Sequence, residues 1–238
     1  GAYIAGMVAA YNSDSEKIGM VVDPSMLYTV QVVDAAALGT QIVYSTAQLV
    51  TATAHADSEI HNAVDALRAQ GCEVIISYTA SGETVDYCGE KGIKVIGNLD
   101  YTADSADHDT MLMYYYSSRV SFYLSQYKAM QLDTWQPESY MGNLGNGVIC
   151  VSDALPAAKD GTQDIMNTLV PKVSTGAAYI FAGQLKDIKG SIKQRDDVYM
   201  ATSDILNLSW YVEGVDLSLD SFIVSKDTVE SAELVIKK

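Results

Sequence analysis

Side chains able to bond or stack on a polar ring recur where short apolar runs end. Asp23 follows KIGMVV, His55 follows QLVTATA, and Tyr78 with Thr79 closes EVIISY; Asp100 and Tyr101 follow KVIGNL, and Tyr116 with Ser117 closes MLMYYYS. Carboxylates at such places accept bonds from hydroxyl or amino groups, while phenol and imidazole faces stack on a ring. His55, Tyr78, Thr79, Asp100, Tyr101 and Tyr116 are therefore the expected ligand-binding residues. Each also has a purely structural reading. Asp23 before Pro24, and Asp100, could cap turns, and His55 could simply lie in solvent. Tyr114, Tyr115 and Tyr116 alternate sides in a strand, so at least one must pack in the core; Tyr116, nearest the end, is assigned to the crevice.

Arrangements that would carry catalysis are missing from the sequence. His55, His61 and His108 show no HExxH or i, i+4 spacing, so no metal site is expected. No GxSxG elbow, Walker loop or GxGxxG follows a strand, and the glycines from Gly142 to Gly147 and from Gly183 to Gly190 lie outside strand-to-helix turns. Asp196 and Asp197 read as solvated charge in a polar loop. The chain is expected to bind a small molecule without transforming it and to need no cofactor.

Composition narrows the partners. Lys and Arg number 15 against 30 Asp and Glu, a formal charge of −15, which argues against nucleic acid, since phosphate contacts need a basic face. The same balance disfavours adhesion to anionic lipid, and no apolar run approaches the roughly 20 residues of a membrane-spanning helix. Cys72, Cys88 and Cys150 are too scattered for a zinc knuckle or CxxC pair and read as small buried hydrophobes, with a Cys72–Cys88 disulfide as the alternative. Gly1 opens directly into an apolar helical pattern, a beginning that implies upstream sequence.

The elements that must position these residues follow one rhythm: buried strands joined by amphipathic crossover helices. Strands are predicted at 17–23, 48–54, 73–78, 94–99 and 111–117. Helices follow: one starting at Pro24 and ended by Gly39, one from Asp57 or Ser58 to Gly71, one over 81–90, and one over 120–130 with Phe122, Tyr123, Tyr127 and Met130 as apolar contacts. Residues 133–146 read as a loop, 147–152 as a strand and 162–170 as a helix. After that come a small hairpin between 177 and 193, a short helix near 203–208 and a strand at 222–224. In an open parallel sheet the ligand crevice lies beyond the carboxyl ends of the strands, where the chosen residues fall.

Six segments in order, AYIAGMVAA, KIGMVV, ALRAQGCEVII, EKGIKVIGNLD, IFAGQLKDIKGSI and LSWYVEGV, span most of the chain. In these the sequence resembles the basic membrane protein group of ABC-transporter substrate-binding lipoproteins, the purine nucleoside receptor-like family. The resemblance implies an α/β, type I periplasmic-binding-protein-like fold: a parallel sheet with helices on both faces, one complete lobe plus part of a second. It implies that residues 12–132 form the complete ligand-binding lobe, and that 1–11 and 147–238 are the remnant of the first lobe with a C-terminal extension. The lobes would close by hinge motion near residues 12 and 147.

The resemblance further implies a purine nucleoside, nucleobase or related ring held between lobes, and an ABC transporter permease as partner. It also implies a missing N-terminal segment or second chain completing the first lobe, and an extracytoplasmic location with a lipid anchor outside this chain. In the family an aromatic residue after the second strand of this lobe stacks on the base; Ala54 and His55 stand there instead. Asp100 matches the acidic residue that contacts the sugar, and Tyr116 falls near a polar position at the end of the fifth strand. Two other classes remain open: a regulatory domain of the same fold sensing a ligand and signalling to a membrane partner, and a small-molecule enzyme of flavodoxin-like build.

Overall fold

The computed structural model describes residues 1–98, 109–137 and 140–219. In chain order its elements are α1 (Ala2–Asn12), β1 (Lys17–Val22), α2 (Thr29–Val43), β2 (Gln48–Thr53), α3 (Asp57–Ala69), β3 (Val74–Tyr78), α4 (Glu83–Lys91), β4 (Lys94–Asn98), β5 (Met111–Ser117) and α5 (Val120–Gln131). The chain continues through β6 (Ile149–Val151), α6 (Thr162–Ser174), β7 (Leu185–Lys186), β8 (Ile192–Gln194), α7 (Thr202–Leu206) and β9 (Val215–Asp216). The main sheet runs β6-β5-β4-β3-β1-β2-β9, parallel except for β6 against β5, and β7 with β8 makes a separate hairpin.

The predicted α/β architecture with helices on both faces is what forms. β3 is buried along its whole length, the mark of a strand covered from both sides. One face carries α1, α2 and α6 over Ile18, Met20, Leu49, Ile76 and Met113. The other carries α3 and α4 over Val21, Val50, Ile75 and Val95. Putting α2 and α3 on opposite faces lets β1 and β2 be followed by β3 on β1's far side with crossovers of the usual hand.

α1 is buried except at Tyr11, which its sequence allows because Ala2, Ala5, Gly6, Ala9 and Ala10 let neighbouring backbones approach. At the crossing with α2 a methyl group on Gly6 would run into the carbonyl of Ala36, and one on Gly39 into the carbonyl of Tyr3. This corrects the expected end of α2: Gly39 sits inside the helix, which continues to Val43, because the glycine serves close packing and not a C-cap. The helix also starts later than Pro24, at Thr29, after a turn in which Tyr28 adopts φ 64°.

A second correction concerns α5. It forms where predicted, but none of its residues is buried, and Val120, Tyr123, Leu124, Tyr127 and Met130 are all exposed. Periodicity marks an apolar face; it does not supply what covers it. The hairpin forms with its second arm, β8, where read, but its first arm is β7 and not residues 177–181; Ala182 bridges Tyr199. β9, unforeseen, adds to the β2 edge. The strand expected at 222–224 lies outside the described residues. All three cysteines are free, with Cys72 and Cys88 buried and Cys150 partly so. Burial pushes the Cys72 thiol up to about 11 and that of Cys88 up to about 12.

The C-terminal third is tied to α2 by Asp34, whose Oδ1 accepts the Val212 N–H at 3.0 Å while Oδ2 is buried without a partner. Burial raises its carboxyl well above the ordinary value, outweighing the Val212 bond. A raised folded-state pKa means that this group favours folding at low pH and loses that contribution as pH rises through the folded value. Asp34→Asn will therefore gain stability relative to the native chain as pH increases from 4 to 8, read by denaturant unfolding at each pH; a constant difference would show that folding does not raise the carboxyl's pKa. Gly39→Ala will lose about 1–3 kcal/mol in the same assay, the usual cost of forcing atoms into a packed contact.

Candidate functional site

The register of three adjacent strands brings their tips level. Val22 pairs with Thr53 on one side and with Tyr78 on the other. The ladder runs one step further on both sides: Asp23 N–H donates to Tyr78 O and Ala54 N–H to Val22 O, both at 2.9 Å. Asp23 thus stands between Ala54 and Thr79 at the carboxyl edge. Here the chain leaves β1 for β2 on one side and later returns to lay β3 on the other, and such a reversal of strand order opens a crevice in α/β sheets.

The loop from β1 to α2 is pinned over this point. Asp23 Oδ1 accepts the backbone N–H of Ser25 at 2.8 Å and its hydroxyl at 2.6 Å, the turn that Asp23-Pro24-Ser25 favours. The Tyr78 hydroxyl donates to Leu27 O at 2.5 Å, and the Thr29 hydroxyl to Met26 O at 2.7 Å. Leu27 and Tyr28 are left exposed on the loop, 76% and 54% accessible. Neither was singled out by the sequence, although the Asp-Pro-Ser turn was the available signal that chain, not helix, follows β1.

The expected site residues divide in three ways. Tyr78 and Thr79 lie at the reversal point but are buried. The Thr79 hydroxyl bonds Ser81 O at 3.0 Å and lies 3.1 and 3.2 Å from the Ser77 and Thr84 hydroxyls, knitting β3 to the start of α4. His55 follows β2, is exposed, and donates its backbone N–H to Glu59 Oε2 at 2.8 Å across the first turn of α3. Tyr116 is partly exposed at the end of β5, its ring 5.8 Å from that of Tyr114, and the electrostatic influence of neighbouring Cys150 raises its phenol pKa. Tyr115 is the core member of the tyrosine run, bonded to Ser77 O at 3.3 Å. Asp100 and Tyr101 lie outside the described residues.

Tyr78, Thr79, Asp23 and the β1–α2 loop are brought together, with the α3 and α4 starts joined beside them by Ser81 Oγ to Asp57 Oδ1 at 2.6 Å. His55 and Tyr116 are not both within that group. β2 and β5 are separated by β1, β3 and β4, so at roughly 4.8 Å per step their tips stand about 19 Å apart. One small ring cannot touch both. Among the described residues no group of three or more His, Cys, Asp or Glu is placed to hold a metal ion. His61 lies elsewhere, stacked on Tyr87 at 3.8 Å and bonded to Glu83 at 2.6 Å on the outer surface of α3 and α4.

No family model matches the chain. Its sequence is 22% identical over 219 residues to a purine-binding protein of Brucella abortus (strain 2308), covering 91% of this chain and 62% of that protein. Among solved structures it is similar to an ABC transporter solute-binding protein of Conexibacter woesei DSM 14684, with TM-score 0.60, 16% identity, and 74% of this chain and 61% of that one covered. A solute-binding protein of Aeropyrum pernix K1 gives TM-score 0.61, 13% identity and coverage of 87% and 66%. A transcriptional activator of the comK gene from Bacillus halodurans gives 0.61, 17%, and 74% and 62%. The chain thus spans about three-fifths of the length of the curated relative it matches. The likenesses to solved structures, all below 25% identity, show the fold, a mostly parallel sheet between two helical layers as in those solute-binding proteins, and nothing among the comparisons singles out the basic membrane protein group.

Proposed function

We propose that this chain is the ligand-holding part of an extracytoplasmic solute-binding component of an ABC importer, which takes a purine nucleoside, nucleobase or related ring compound between two lobes and does no chemistry on it. The observation that carries this reading is the level alignment of the β1 and β3 tips beneath a loop pinned by Tyr78. The curated relative's purine-binding name agrees with it. Asp100 and Tyr101 remain proposed contacts, together with His55 or Tyr116 but not both on one small ring, while Tyr78 and Thr79 act through the loops they hold. A lipid anchor and a permease partner belong to the same proposal.

The first lobe, on this reading, is completed by an N-terminal segment or a second chain. The bare apolar face of α5 lies on the lobe of residues 12–132 and supports a protein partner for that lobe, since contiguous exposed apolar surface marks a place that other protein covers. A second reading, a ligand-sensing regulatory domain signalling to a membrane partner, has the fold match to the comK activator in its favour. The gene's upstream sequence separates them: a lipobox cysteine fits transport, a membrane-spanning helix fits sensing.

A ligand that binds only the folded state at a hundred times its Kd adds about 2.7 kcal/mol of stability. A thermal-shift panel of nucleosides, bases and flavins will therefore raise Tm by several degrees for at least one ring compound; no shift from any of them sinks the proposal. In Tyr78→Phe the lost bond to Leu27 O will cost about 1 kcal/mol and speed hydrogen exchange at amides 25–29, with nucleoside affinity falling several-fold. Unchanged exchange there would show that the loop is held by other means.

A further inference from the structure

The end of β8 and the loop after it, the second half of α7 with the turn that follows, and Trp210 line an open cavity of about 450 Å³, remote in sequence from the strand tips and walled by Lys193, Arg195, Tyr199, Asp204, Asn207 and Trp210. That volume suits one small molecule. Its frame is fixed. The buried Gln194 amide donates to Phe181 O at 3.2 Å, Gly183 O at 2.9 Å and Val198 O at 3.0 Å, locking the loops on either side of the hairpin. Met200 N–H reaches Phe181 O at 2.9 Å, and Gln31 on α2 holds Leu206 O at 2.9 Å. Phe181, Leu185 and Leu208 form a small core behind.

The lining carries both signs of charge. Lys193 is engaged, 3.2 Å from Asp187 Oδ2 and 5.9 Å from the centre of the Trp210 ring. Arg195 makes no ion pair or hydrogen bond among the described residues, and Asp204 makes no ion pair there. They face one cavity without meeting each other. Asn207 commits its Nδ2 to Ser203 O at 2.7 Å and keeps its carbonyl oxygen as an acceptor. The remaining walls are flat and apolar: Trp210, and Tyr199 backed by Tyr179 at 4.7 Å in a stacked pair.

The geometry points to a second binding site, for a small zwitterion with an apolar side chain, that is, an α-amino acid. Arg195 takes the carboxylate, its planar fork matching that group. Asp204 and the Asn207 oxygen take the ammonium, and Trp210 with Tyr199 covers the side chain. Net charge decides between this and simpler ions: a lone anion must approach a chain of charge −15, and a lone cation leaves Arg195 unanswered, whereas a zwitterion meets neither penalty. The site is independent of the ring-binding crevice and stands or falls without it.

Calorimetric titration of the chain with L-phenylalanine, L-tryptophan and L-leucine, beside phenylacetate and phenethylamine, tests the assignment. At least one amino acid will bind, and each single-charge analogue will bind at least tenfold more weakly than L-phenylalanine. Arg195→Gln will weaken amino-acid binding at least tenfold, and Asp204→Asn will abolish the preference for L-phenylalanine over phenylacetate. Both positions are exposed, so the fold will hold, as circular dichroism will verify. No binding by any amino acid, equal affinity across the charge series, or a preference that survives in Asp204→Asn overturns the proposal.

Discussion

Everything at the carboxyl edge depends on β1 pairing in parallel with β2 and β3 at once. Because Val22 is level with both Thr53 and Tyr78, the next residue of each strand emerges at the same height, and the connections leaving them must share one rim. A slip of one residue in either pairing would turn every strand side chain to the opposite face. The two packed layers forbid that slip, since Met20 belongs to the layer under α1 and Val21 to the layer under α3. The rim is thus a by-product of core packing, and its position is as secure as the core.

The layer under α1 adds its own requirement. A helix buried on nearly every side has to be narrow, and where it crosses α2 at Gly6 and Gly39 the two backbones meet with no side chain between them. That contact fixes α2, and α2 in turn supports both the β1–α2 loop and, through Asp34, Gln31 and Gln41, the C-terminal third. Helix crossing, loop and tail are therefore one mechanical unit.

Much of this was legible in the sequence because its causes are local. The first five strands are runs of apolar residues bounded by turns, and β5 begins and ends where MLMYYYS does. α3 and α4 have strongly one-sided apolar faces, and Gly71 and Gly92 follow them with positive φ, as glycines after helices commonly do. Gly39 looks the same in sequence and does something else, because the contact that requires it comes from a helix more than thirty residues away. The tyrosine run gave the alternation but not the direction; the structure buries Tyr115. At the candidate site, the sequence named polar groups at the right edge. That Asp23 caps its own turn was legible in Asp23-Pro24-Ser25, but the sequence could not tell that the Thr79 hydroxyl satisfies its own loop, since that depends on where Ser77 and Thr84 arrive in space.

That internal satisfaction limits how the rim can recognise anything. Asp23 is occupied by Ser25, Thr79 by Ser77, Thr84 and Ser81, and the Tyr78 hydroxyl by Leu27. Apart from the second carboxylate oxygen of Asp23, these groups already have partners, and breaking those bonds to greet a ligand would return little net free energy. What the reversal point presents instead is the apolar and aromatic surface of Leu27 and Tyr28 on a held loop. Such a surface favours a flat molecule that gains by stacking and desolvation over one recognised by hydrogen bonds to the rim.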